Sequence, residues 1–478
     1  MITGRLLARA AAILLTALTI SGQAADRRPN LVFFLADDLG WTGLRCFGSD
    51  LYETPNLDLL AKQGVKFTDA YSACTVCSPS RAAIMTGKYP ARLHLTDFIA
   101  GQNRPFAKLT IPEWQKWLRR DEITIAEALS HGGYKTAHVG KWHLERKDRD
   151  SADYQPVNHG FDRQVLKPAS KGYFLTKTAG NFKKGDYTTD YLAAEAAKIV
   201  DAWKSDPFFL YFAFHVPHTP IQGKKELIDA YATKTRPDAK HRNPTYAAMV
   251  QSMDEAVGTV LDAVKRNGLA DDTVVIFTSD NGGLTQRYGK PDGFTDNHPL
   301  RRGKGSAYEG GVRVPTIARW PGVTPANATC AEPVIGIDFY PTLLEIAGIT
   351  GDAGHNRTVD GLSLVPLFKN PKSRLKRDAI YWHYPHYHAG GDSPYNAVRA
   401  RDWRLVQFYE DGTEALYNLK DDIGETRNVA EQNAAIAAKL RNQLDTWRIA
   451  VGAQMLMPNP DHDPARETEV AKRKRAAR

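Results

Sequence analysis

The chain has 478 residues, of which 42% are hydrophobic and 24% are charged, the composition of an ordinary globular protein. Its length suits two domains, or one large α/β domain with an appendage. The net charge of +9 suits an anionic substrate as well as a nucleic acid. Because the chain contains no nucleic-acid-binding motif, a nucleic acid partner is excluded.

The first residues predict export. Arg5 and Arg9 precede an apolar run over residues 10–20, and small residues suited to cleavage follow it. This is the pattern of a secretory signal peptide, which we assign to residues 1–24. The apolar run is too short to span a membrane, and no cysteine at its end could carry a lipid. We therefore expect a periplasmic or secreted protein without a membrane anchor.

Predicted strands and helices alternate through most of the chain. A continuous apolar run predicts a buried strand at residues 31–36, and residues 207–214 predict another. Further strands are predicted at residues 65–71, 134–139 and 273–278. Helices are predicted at residues 56–63, 123–130, 189–203 and around 250–264. The alternation is typical of a doubly wound, mostly parallel α/β sheet, in which ligands bind at the carboxyl ends of the strands.

The pattern changes after about residue 375. Short strands separated by turns are predicted at residues 379–384, 397–401, 405–409 and 415–419, with a helix at 430–451. We therefore predict a smaller C-terminal subdomain of antiparallel strands and a helix. The predicted division of the chain is a signal peptide (1–24), an α/β domain (25–375), this subdomain (376–455) and a disordered basic tail (456–478).

The most informative stretch is the run CSPSRAAIMTG, residues 77–87. Ser78 predicts a helix N-cap and Pro79 the first helical residue, while the final glycine ends the helix. Cys77 would then lie just outside a helix N-terminus, where free backbone N–H groups and the helix dipole favour an anion. Arg81 adds a positive charge that can grip an oxyanion with two parallel hydrogen bonds. A nucleophile beside an anion-binding helix end is a candidate for catalysis.

The chain contains four cysteines, Cys46, Cys74, Cys77 and Cys330, which would permit two disulfides in an oxidising compartment. Cys74 and Cys77 form a CxxC pair, which by itself allows a redox or disulfide function. No thioredoxin-like context precedes the pair, so the redox interpretation lacks support. The sequence leaves any pairing of the cysteines open.

Carboxylate and amide side chains follow the first and last predicted strands of the sheet. Asp37 and Asp38 follow the first strand, and Asp280 and Asn281 follow the last. These hard oxygen ligands, without a thiol or an imidazole, suit Ca²⁺ or Mg²⁺ better than zinc. The alternative is that each pair merely begins a turn or caps a helix, as Asp and Asn often do.

Basic and imidazole side chains follow other strands. Lys141 and His143 are two residues apart in the run GKWH, so that their side chains can point the same way. His215 and His218 lie in the run HVPH, and Lys304 lies in the glycine-rich run RRGKGS. Each histidine could instead be a core residue with a satisfied hydrogen bond, and Lys304 could belong to a solvated charge cluster.

The run CSPSRAAIMTG closely resembles the C-x-P-x-R signature of the type I sulfatases, which belong to the alkaline phosphatase superfamily. The runs GKWH and LYNLKDDIGETRNVA resemble further sulfatase signatures, and the resemblance covers nearly the whole chain after its first 25 or so residues. In that family the signature cysteine is oxidised after synthesis to a formylglycine aldehyde. The resemblance therefore implies a maturation enzyme as a partner and Cys77 as the residue that is converted.

The resemblance also implies a metal site. In sulfatases the residues that match Asp37, Asp38, Asp280 and Asn281 hold one Ca²⁺, and the formylglycine at position 77 is a further ligand. Mg²⁺ is the second choice of ion.

The remaining site residues receive implied roles in hydrolysis. Arg81, Lys141 and Lys304 would offset charge on the sulfate group, and a hydroxyl of the hydrated aldehyde would attack sulfur. His218 or Lys304 would protonate the departing alcohol. His143 would then take the proton of the second hydroxyl, so that sulfate leaves and the aldehyde is restored.

Substrate choice is less well defined by the sequence. The run HVPH leaves His215 as the alternative to His218 for the contact with sulfate. In the segment of residues 381–388, His386 and His388 are candidates for binding a sugar, because the subdomain that begins here borders the cleft in sulfatases. The alternative is that the aromatic residues of this segment pack the two sheets together.

The predicted function is hydrolysis of the sulfate ester of a sulfated carbohydrate or an aryl sulfate. One alternative is a phosphodiester or phosphonate monoester hydrolase, because related enzymes on this fold share the cysteine signature. The other is a catalytically silent binder of sulfated glycans, in which Cys77 stays unconverted.

Overall fold

The computed structural model describes residues 28–146, 151–286, 293–388 and 390–470. The predicted signal peptide and the basic residues 471–478 lie outside these ranges. No helix in the described part of the chain has the length and hydropathy needed to cross a bilayer.

The strands of the described residues are numbered in chain order. They are β1 (Asn30–Ala36), β2 (Val65–Phe67), β3 (Ala70–Tyr71), β4 (Leu109–Thr110), β5 (Lys135–Gly140), β6 (Arg163–Val165), β7 (Ser170–Lys171), β8 (Phe174–Leu175), β9 (Phe208–Ala213), β10 (Thr273–Ser279), β11 (Thr316–Arg319), β12 (Ala328–Cys330), β13 (Val334–Ile335), β14 (Ile380–Tyr384), β15 (Tyr395–Ala400), β16 (Trp403–Phe408), β17 (Glu414–Asn418) and β18 (Met457–Pro458).

The α-helices are numbered in the same way. They are α1 (Pro55–Gln63), α2 (Cys77–Thr86), α3 (Pro90–Leu93), α4 (Ile125–His131), α5 (Thr188–Ala202), α6 (Lys225–Lys234), α7 (Pro244–Arg266), α8 (Glu309–Val312), α9 (Phe339–Ala347), α10 (Ala353–Asn356), α11 (Val365–Lys369) and α12 (Ala434–Ala450).

Eight strands form the central sheet in the order β12-β2-β11-β10-β1-β9-β5-β6. The strands β10, β1, β9, β5 and β6 run parallel, whereas β11 is antiparallel to both of its neighbours. The predicted α/β fold with a mostly parallel sheet is therefore confirmed. The strand β1 is central, and every residue in it is buried.

Alternate residues of β1 face two separate cores, as the pleat of a strand requires. Val32 and Phe34 pack in a core that includes α5 and α7. Leu31, Phe33 and Leu35 pack on the other side, in a core that includes α2, α4 and α9. Burial on both faces explains why this strand is a continuous apolar run in the sequence.

The predicted C-terminal subdomain is present as four antiparallel strands in the order β14-β15-β16-β17, with α12 packed against β15. Trp382 of β14 is buried, and its indole N–H donates to the carbonyl oxygen of Ser72 at 2.9 Å. Ser72 lies a few residues before Cys77, so the subdomain supports the cysteine segment directly.

The segment after residue 455 differs from the predicted tail. Met457 and Pro458 pair with β4, and the side-chain amide of Asn459 donates to the carbonyl oxygens of Pro105 and Ala107 at 2.9 and 2.6 Å. Residues 456–470 therefore continue the folded part of the chain. The sequence did not predict these contacts, because their acceptors are backbone oxygens of residues 105–108, which leave no signal in the sequence.

Candidate active site

The predicted site residues come together at one edge of the central sheet. The strands β10, β1, β9 and β5 are parallel neighbours, so their carboxyl ends meet. The residues that follow these four strands are Asp280 and Asn281, Asp37 and Asp38, His215 and His218, and Lys141 and His143. Cys77 at the start of α2 and Lys304 from a loop complete the cluster.

The backbone is unusual where two of these strands end. Gly140 has a φ of 97°, and a Cβ there would lie 2.0 Å from the carbonyl oxygen of Ala213 in the neighbouring β9. Asp38 and His143 have positive φ values of 68° and 60°, a left-handed conformation that costs energy for residues other than glycine. Such conformations cluster at functional sites, because the surrounding structure must hold them in place.

The acidic cluster is buried and internally connected. Asp37, Asp38, Asp280 and Asn281 are each at most 1% exposed. The backbone N–H of Asp38 donates to Oδ1 of Asp280 at 3.2 Å, and Nδ2 of Asn281 donates to Oδ1 of Asp38 at 2.8 Å. Burial raises the pKa of Asp280, and the charge of Arg81, which donates two hydrogen bonds to this carboxylate, opposes that rise and favours the ionised form.

Arg81 forms hydrogen bonds to this cluster. Its Nε and Nη2 atoms donate to Oδ2 of Asp280 at 2.9 and 2.7 Å, and Nη1 donates to the carbonyl oxygen of Lys141 at 2.9 Å. Arg81 is 1% exposed and does not line the cavity described below. The sequence predicted that the Arg81 guanidinium binds an oxyanion through two hydrogen bonds. In this structure the anion that it binds in this way is the Asp280 carboxylate.

Two lysines pair with the other carboxylates of the cluster. Nζ of Lys141 donates to Oδ2 of Asp37 at 2.6 Å, and Nζ of Lys304 lies 2.7 and 2.8 Å from the two oxygens of Asp38. Burial alone would raise the pKa of Asp37, but Lys141 and the neighbouring cations lower it well below the ordinary value. Burial alone would lower the pKa of Lys304, but Asp38 together with Cys77 and Asp37 raises it above the ordinary value.

Cys77 is the first residue of α2, and Val76 is its N-cap residue, so the helix begins earlier than predicted. Ser78 is the second residue of the helix and therefore does not cap it; its hydroxyl accepts the N–H of Ile99 at 3.1 Å. The predicted end of the helix is correct: Gly87 has a φ of 71° in the left-handed region. All four cysteines of the chain are free.

Cys77 faces His143. The Cys77 Sγ lies 3.2 Å from Nδ1 of His143, and the other ring nitrogen, Nε2, lies 2.6 Å from the carbonyl oxygen of Ile99. Because a carbonyl oxygen can only accept a hydrogen bond, Nε2 carries the proton and Nδ1 presents its lone pair to position 77. Burial and the charge of Lys141 lower the pKa of His143 well below its usual value, so the ring is neutral near pH 7.

The two histidines of the HVPH run have different surroundings. Nε2 of His218 lies 3.6 Å from Oδ2 of Asp38, whereas Nδ1 of His215 is buried without a hydrogen-bond partner. The hydroxyl of Tyr173 donates to the backbone oxygens of both residues, at 2.6 Å for His215 and 2.7 Å for His218. Of the two histidines, His218 is therefore the one whose side chain approaches a carboxylate of the acidic cluster.

A cavity of about 710 Å³ opens above the cluster. The predicted site residues that line it are Asp37, Asp38, Cys77, Lys141, His143, His215, His218, Lys304 and His388. Further residues also line the cavity, and among them Ile99, Lys167 and Tyr173 were not predicted. They lie in segments without a recognisable motif, so the sequence contained no signal for them.

His386 and His388 are placed differently. His388 lines the cavity next to Gly305, whose φ is 83° and where a Cβ would lie 2.1 Å from Nδ1 of His388. His386 is fully buried, with Nε2 at 2.8 Å from the hydroxyl of Thr96 and its ring against Trp114. The structure thus brings His388 to the cavity and keeps His386 in the interior.

The acidic cluster fits a hard cation. Oδ1 of Asp37 and Oδ1 of Asn281 are buried without a hydrogen bond, which is rare for polar atoms in a folded protein. One oxygen each of Asp37 and Asp38 and a ring nitrogen of His218 lie within 4.8 Å of one another. Carboxylate and amide oxygens, as offered by these side chains, are the ligands that Ca²⁺ and Mg²⁺ prefer.

Comparison with protein families gives two matches. Residues 29–349 match the family model described as Sulfatase. Residues 303–450 match a model described as N-sulphoglucosamine sulphohydrolase, C-terminal.

Individual proteins are similar over most of their length. A Formosa agariphila protein named sulfatase is 33% identical, with 91% of this chain and 92% of that protein covered. The N-acetylgalactosamine-6-sulfatase of Rattus norvegicus is 32% identical, with 74% and 68% covered. The solved structure of Ps i-CgsB in complex with k-i-k-neocarrahexaose has a TM-score of 0.72 and 30% identity, with 92% of this chain and 96% of that chain covered.

Proposed function

The chain belongs to the sulfatase family and is a hydrolase of sulfate esters; on this premise we propose that it uses a formylglycine made from Cys77, together with one bound Ca²⁺, to release sulfate from a sulfated carbohydrate or an aryl sulfate. The observation that carries the proposal is the convergence on one cavity of Cys77, a buried cluster of carboxylates and several cationic or imidazole groups.

The proposed Ca²⁺ ligands are Asp37, Asp38, Asp280 and Asn281, with the converted residue 77. When bound, such an ion offsets negative charge on a sulfate group and lowers the pKa of a coordinated hydroxyl group. The two buried oxygens that have no hydrogen bond support this ligand set.

The proposed nucleophile is a hydroxyl group of the hydrated aldehyde at position 77. Burial raises the pKa of the Cys77 thiol, against the opposing charges of Lys141 and Lys304. An unconverted cysteine would therefore be a neutral thiol near pH 7 and a weak nucleophile. This favours conversion of Cys77, which requires a formylglycine-generating enzyme in the cell as the maturation partner.

His143 is the proposed general base. Its Nε2–H is held by the carbonyl oxygen of Ile99, so the ring can turn only its Nδ1 lone pair towards residue 77. In this role His143 would take the proton of the hydroxyl group that does not carry the sulfate, so that the C=O bond of the aldehyde forms as the C–O bond to the sulfate breaks and sulfate leaves.

Lys141, Lys304 and His218 are the proposed contacts of the sulfate oxygens. All three line the cavity, and each lies within 3.6 Å of Asp37 or Asp38. They can therefore stabilise charge on the sulfate group from fixed positions, which is how a preorganised site lowers a reaction barrier. We also propose that His218 or Lys304 gives a proton to the departing alcohol.

A carbohydrate substrate is favoured over a purely aromatic one by two of the relatives. One is named N-acetylgalactosamine-6-sulfatase, and another was solved with k-i-k-neocarrahexaose. A cavity of about 710 Å³ is in the usual range for a small-molecule site and has room for a sugar next to the sulfate group. We propose that the enzyme acts outside the cytoplasm, as the N-terminal residues predict.

The experiment is hydrolysis of 4-nitrophenyl sulfate, compared with the corresponding phosphate monoester and diester, by protein whose Cys77 peptide has been weighed by mass spectrometry. We expect a mass about 18 Da below that of the thiol peptide, turnover of the sulfate above both phosphates, and no turnover by Cys77→Ala. Cys46→Ala serves as the matched control, because Cys46 is also free but lines a different cavity. An active Cys77→Ala protein, or a higher rate on either phosphate, would refute the proposal.

A further inference from the structure

Among the described residues, three lysines line the cavity, and one of them has no acidic partner there. Lys141 pairs with Asp37 and Lys304 pairs with Asp38. Lys167 also lines the cavity, but no carboxylate of the described residues lies within ion-pairing distance of it. Its Nζ lies 4.6 Å from the ring centroid of Tyr173, which holds the ammonium group in place.

The surroundings of Lys167 contain a second unsatisfied group. Nδ1 of His215 is buried without a hydrogen bond, and both residues line the same cavity. Burial is the main cause that lowers the pKa of the His215 imidazole, and the nearby charge of Lys167 lowers it further. The ring is therefore neutral and can donate a hydrogen bond from one of its nitrogens.

Tyr173 fixes both groups. Its hydroxyl donates to the backbone oxygens of His215 and His218, and its ring lies under Lys167. Tyr173 is 2% exposed, so it is a rigid support rather than a mobile surface residue. The ammonium group and the imidazole are thus held next to the residues proposed to bind sulfate.

From this arrangement we propose that Lys167 and His215, supported by Tyr173, bind a second anionic group of the substrate, a carboxylate or a further sulfate. The inference rests on the proposed function, and it narrows the substrate to sugars that carry another negative charge near the sulfate ester that is cleaved. In the proposed function the cleaved sulfate is bound by Lys141, Lys304 and His218. Lys167 is not needed for that contact and is available for a second anionic group.

A neutral hydroxyl group is a poorer occupant of this subsite. The pKa of Lys167 is lowered by burial and by the charge of Lys141, so its charged form is destabilised in the empty cavity. An anion would reverse that destabilisation, whereas a hydroxyl group offers only one neutral hydrogen bond. A charge-assisted hydrogen bond changes affinity by about tenfold or more.

The test measures competitive inhibition of 4-nitrophenyl sulfate hydrolysis by matched pairs of sugars. One pair compares N-acetylgalactosamine 6-sulfate with its 4,6-disulfate, and the other compares the 6-sulfate with its uronic acid disaccharide. We expect the wild type to bind the member with the extra anion in at least one pair about tenfold more tightly. This preference should fall to about twofold or less in Lys167→Met and be retained in Lys167→Arg, which keeps the charge.

The two pairs separate the sources of the anion, because only one contains a carboxylate. Lys171→Met is the matched control, since Lys171 is exposed and lies four residues away outside the cavity, and its preference should equal that of the wild type. No preference in either pair, or an equal preference in Lys167→Met, would overturn the inference. If 4-nitrophenyl sulfate is not hydrolysed, the proposed function fails instead, and calorimetric binding of the same sugars to Cys77→Ala still decides the subsite.

Discussion

Removal of Arg81 should destabilise the protein strongly, because this residue is the main counter-charge of a buried carboxylate. Two nitrogens of Arg81 lie at 2.9 and 2.7 Å from Oδ2 of Asp280, and the side chains are 1% and 0% exposed. The next carboxylate, Asp37, is 3.5 Å from Arg81. Arg81→Met would therefore leave Asp280 without a close cationic partner in the protein interior.

The expected magnitude follows from the burial. Breaking a buried ion pair by removing one partner costs about 3–5 kcal/mol of unfolding free energy. Asp280→Asn should cost less, because Arg81 keeps Asp37 as a neighbour. The double variant should cost less than the sum of the two single variants, with a coupling free energy of about 1.5–3 kcal/mol.

The assay is urea-induced unfolding of the wild type, the two single variants and the double variant, all in buffer with a chelator. The chelator removes the stabilisation that a bound cation would add to some variants and not to others. The matched control is the same cycle for Arg119 and Asp121, an ion pair whose side chains are 56% and 61% exposed. Its coupling should be only about 0.2–1 kcal/mol.

The reasoning would be refuted if Arg81→Met cost less than about 1 kcal/mol, or if its coupling to Asp280 were no larger than that of the exposed pair. Either result would mean that Arg81 is not committed to the carboxylate cluster and is free to bind the substrate, as the sequence alone indicated.

Two further predictions concern the proposed metal ion and the buried carboxyl group of Glu425, which lies outside the acidic cluster. Ca²⁺ should raise the melting temperature of the wild type, by the equivalent of about 2.7 kcal/mol at a hundredfold excess over Kd. Asp37→Asn should lose most of this shift, because it removes a charged ligand, whereas the control variant Asp262→Asn should keep it. An equal shift in the two variants would contradict the proposed metal site. Burial raises the pKa of Glu425 to about 8 in the folded protein, so its contribution to stability is present at acidic pH and is lost as pH rises from about 4.5 to 8. Unfolding free energies measured from pH 5 to 8 should therefore fall for the wild type relative to Glu425→Gln, by at most about 1.4 kcal/mol per pH unit, and parallel curves would count against this pKa.

The parts of the fold that could be predicted are those in which one residue pattern has one physical solution. Residues 31–36 and 274–277 are continuous apolar runs, and a strand covered on both faces buries such a run completely. Because the polar residues follow these runs directly, their meeting at one sheet edge could be inferred before any distance was known.

The partners of the site residues could not be predicted, because they depend on side-chain approach in three dimensions. Arg81 faces Asp280 across about two hundred residues of sequence, and nothing in the signature run distinguishes a carboxylate of the protein from an oxyanion of a substrate. His143 is held by the backbone oxygen of Ile99, which any residue type could have supplied. His386 and His388 are two residues apart, yet one packs on Thr96 and the other reaches the cavity.

The charges of the site explain why the groups proposed to bind sulfate lie next to carboxylates. Three buried carboxylates, of Asp37, Asp38 and Asp280, are paired with the three cations Lys141, Lys304 and Arg81, so the cluster is close to neutral by itself. A neutral cluster can be buried at an acceptable cost in free energy, whereas three unpaired carboxylates could not. A divalent cation on the same oxygens would leave the cavity with a net positive charge, and an anionic ester is drawn to such a cavity. The carboxylates that pair with Lys141, Lys304 and Arg81 in the folded protein are therefore also those that would hold the divalent cation whose charge attracts an anionic ester. Lys167, for which the described residues offer no carboxylate partner, adds to this positive charge.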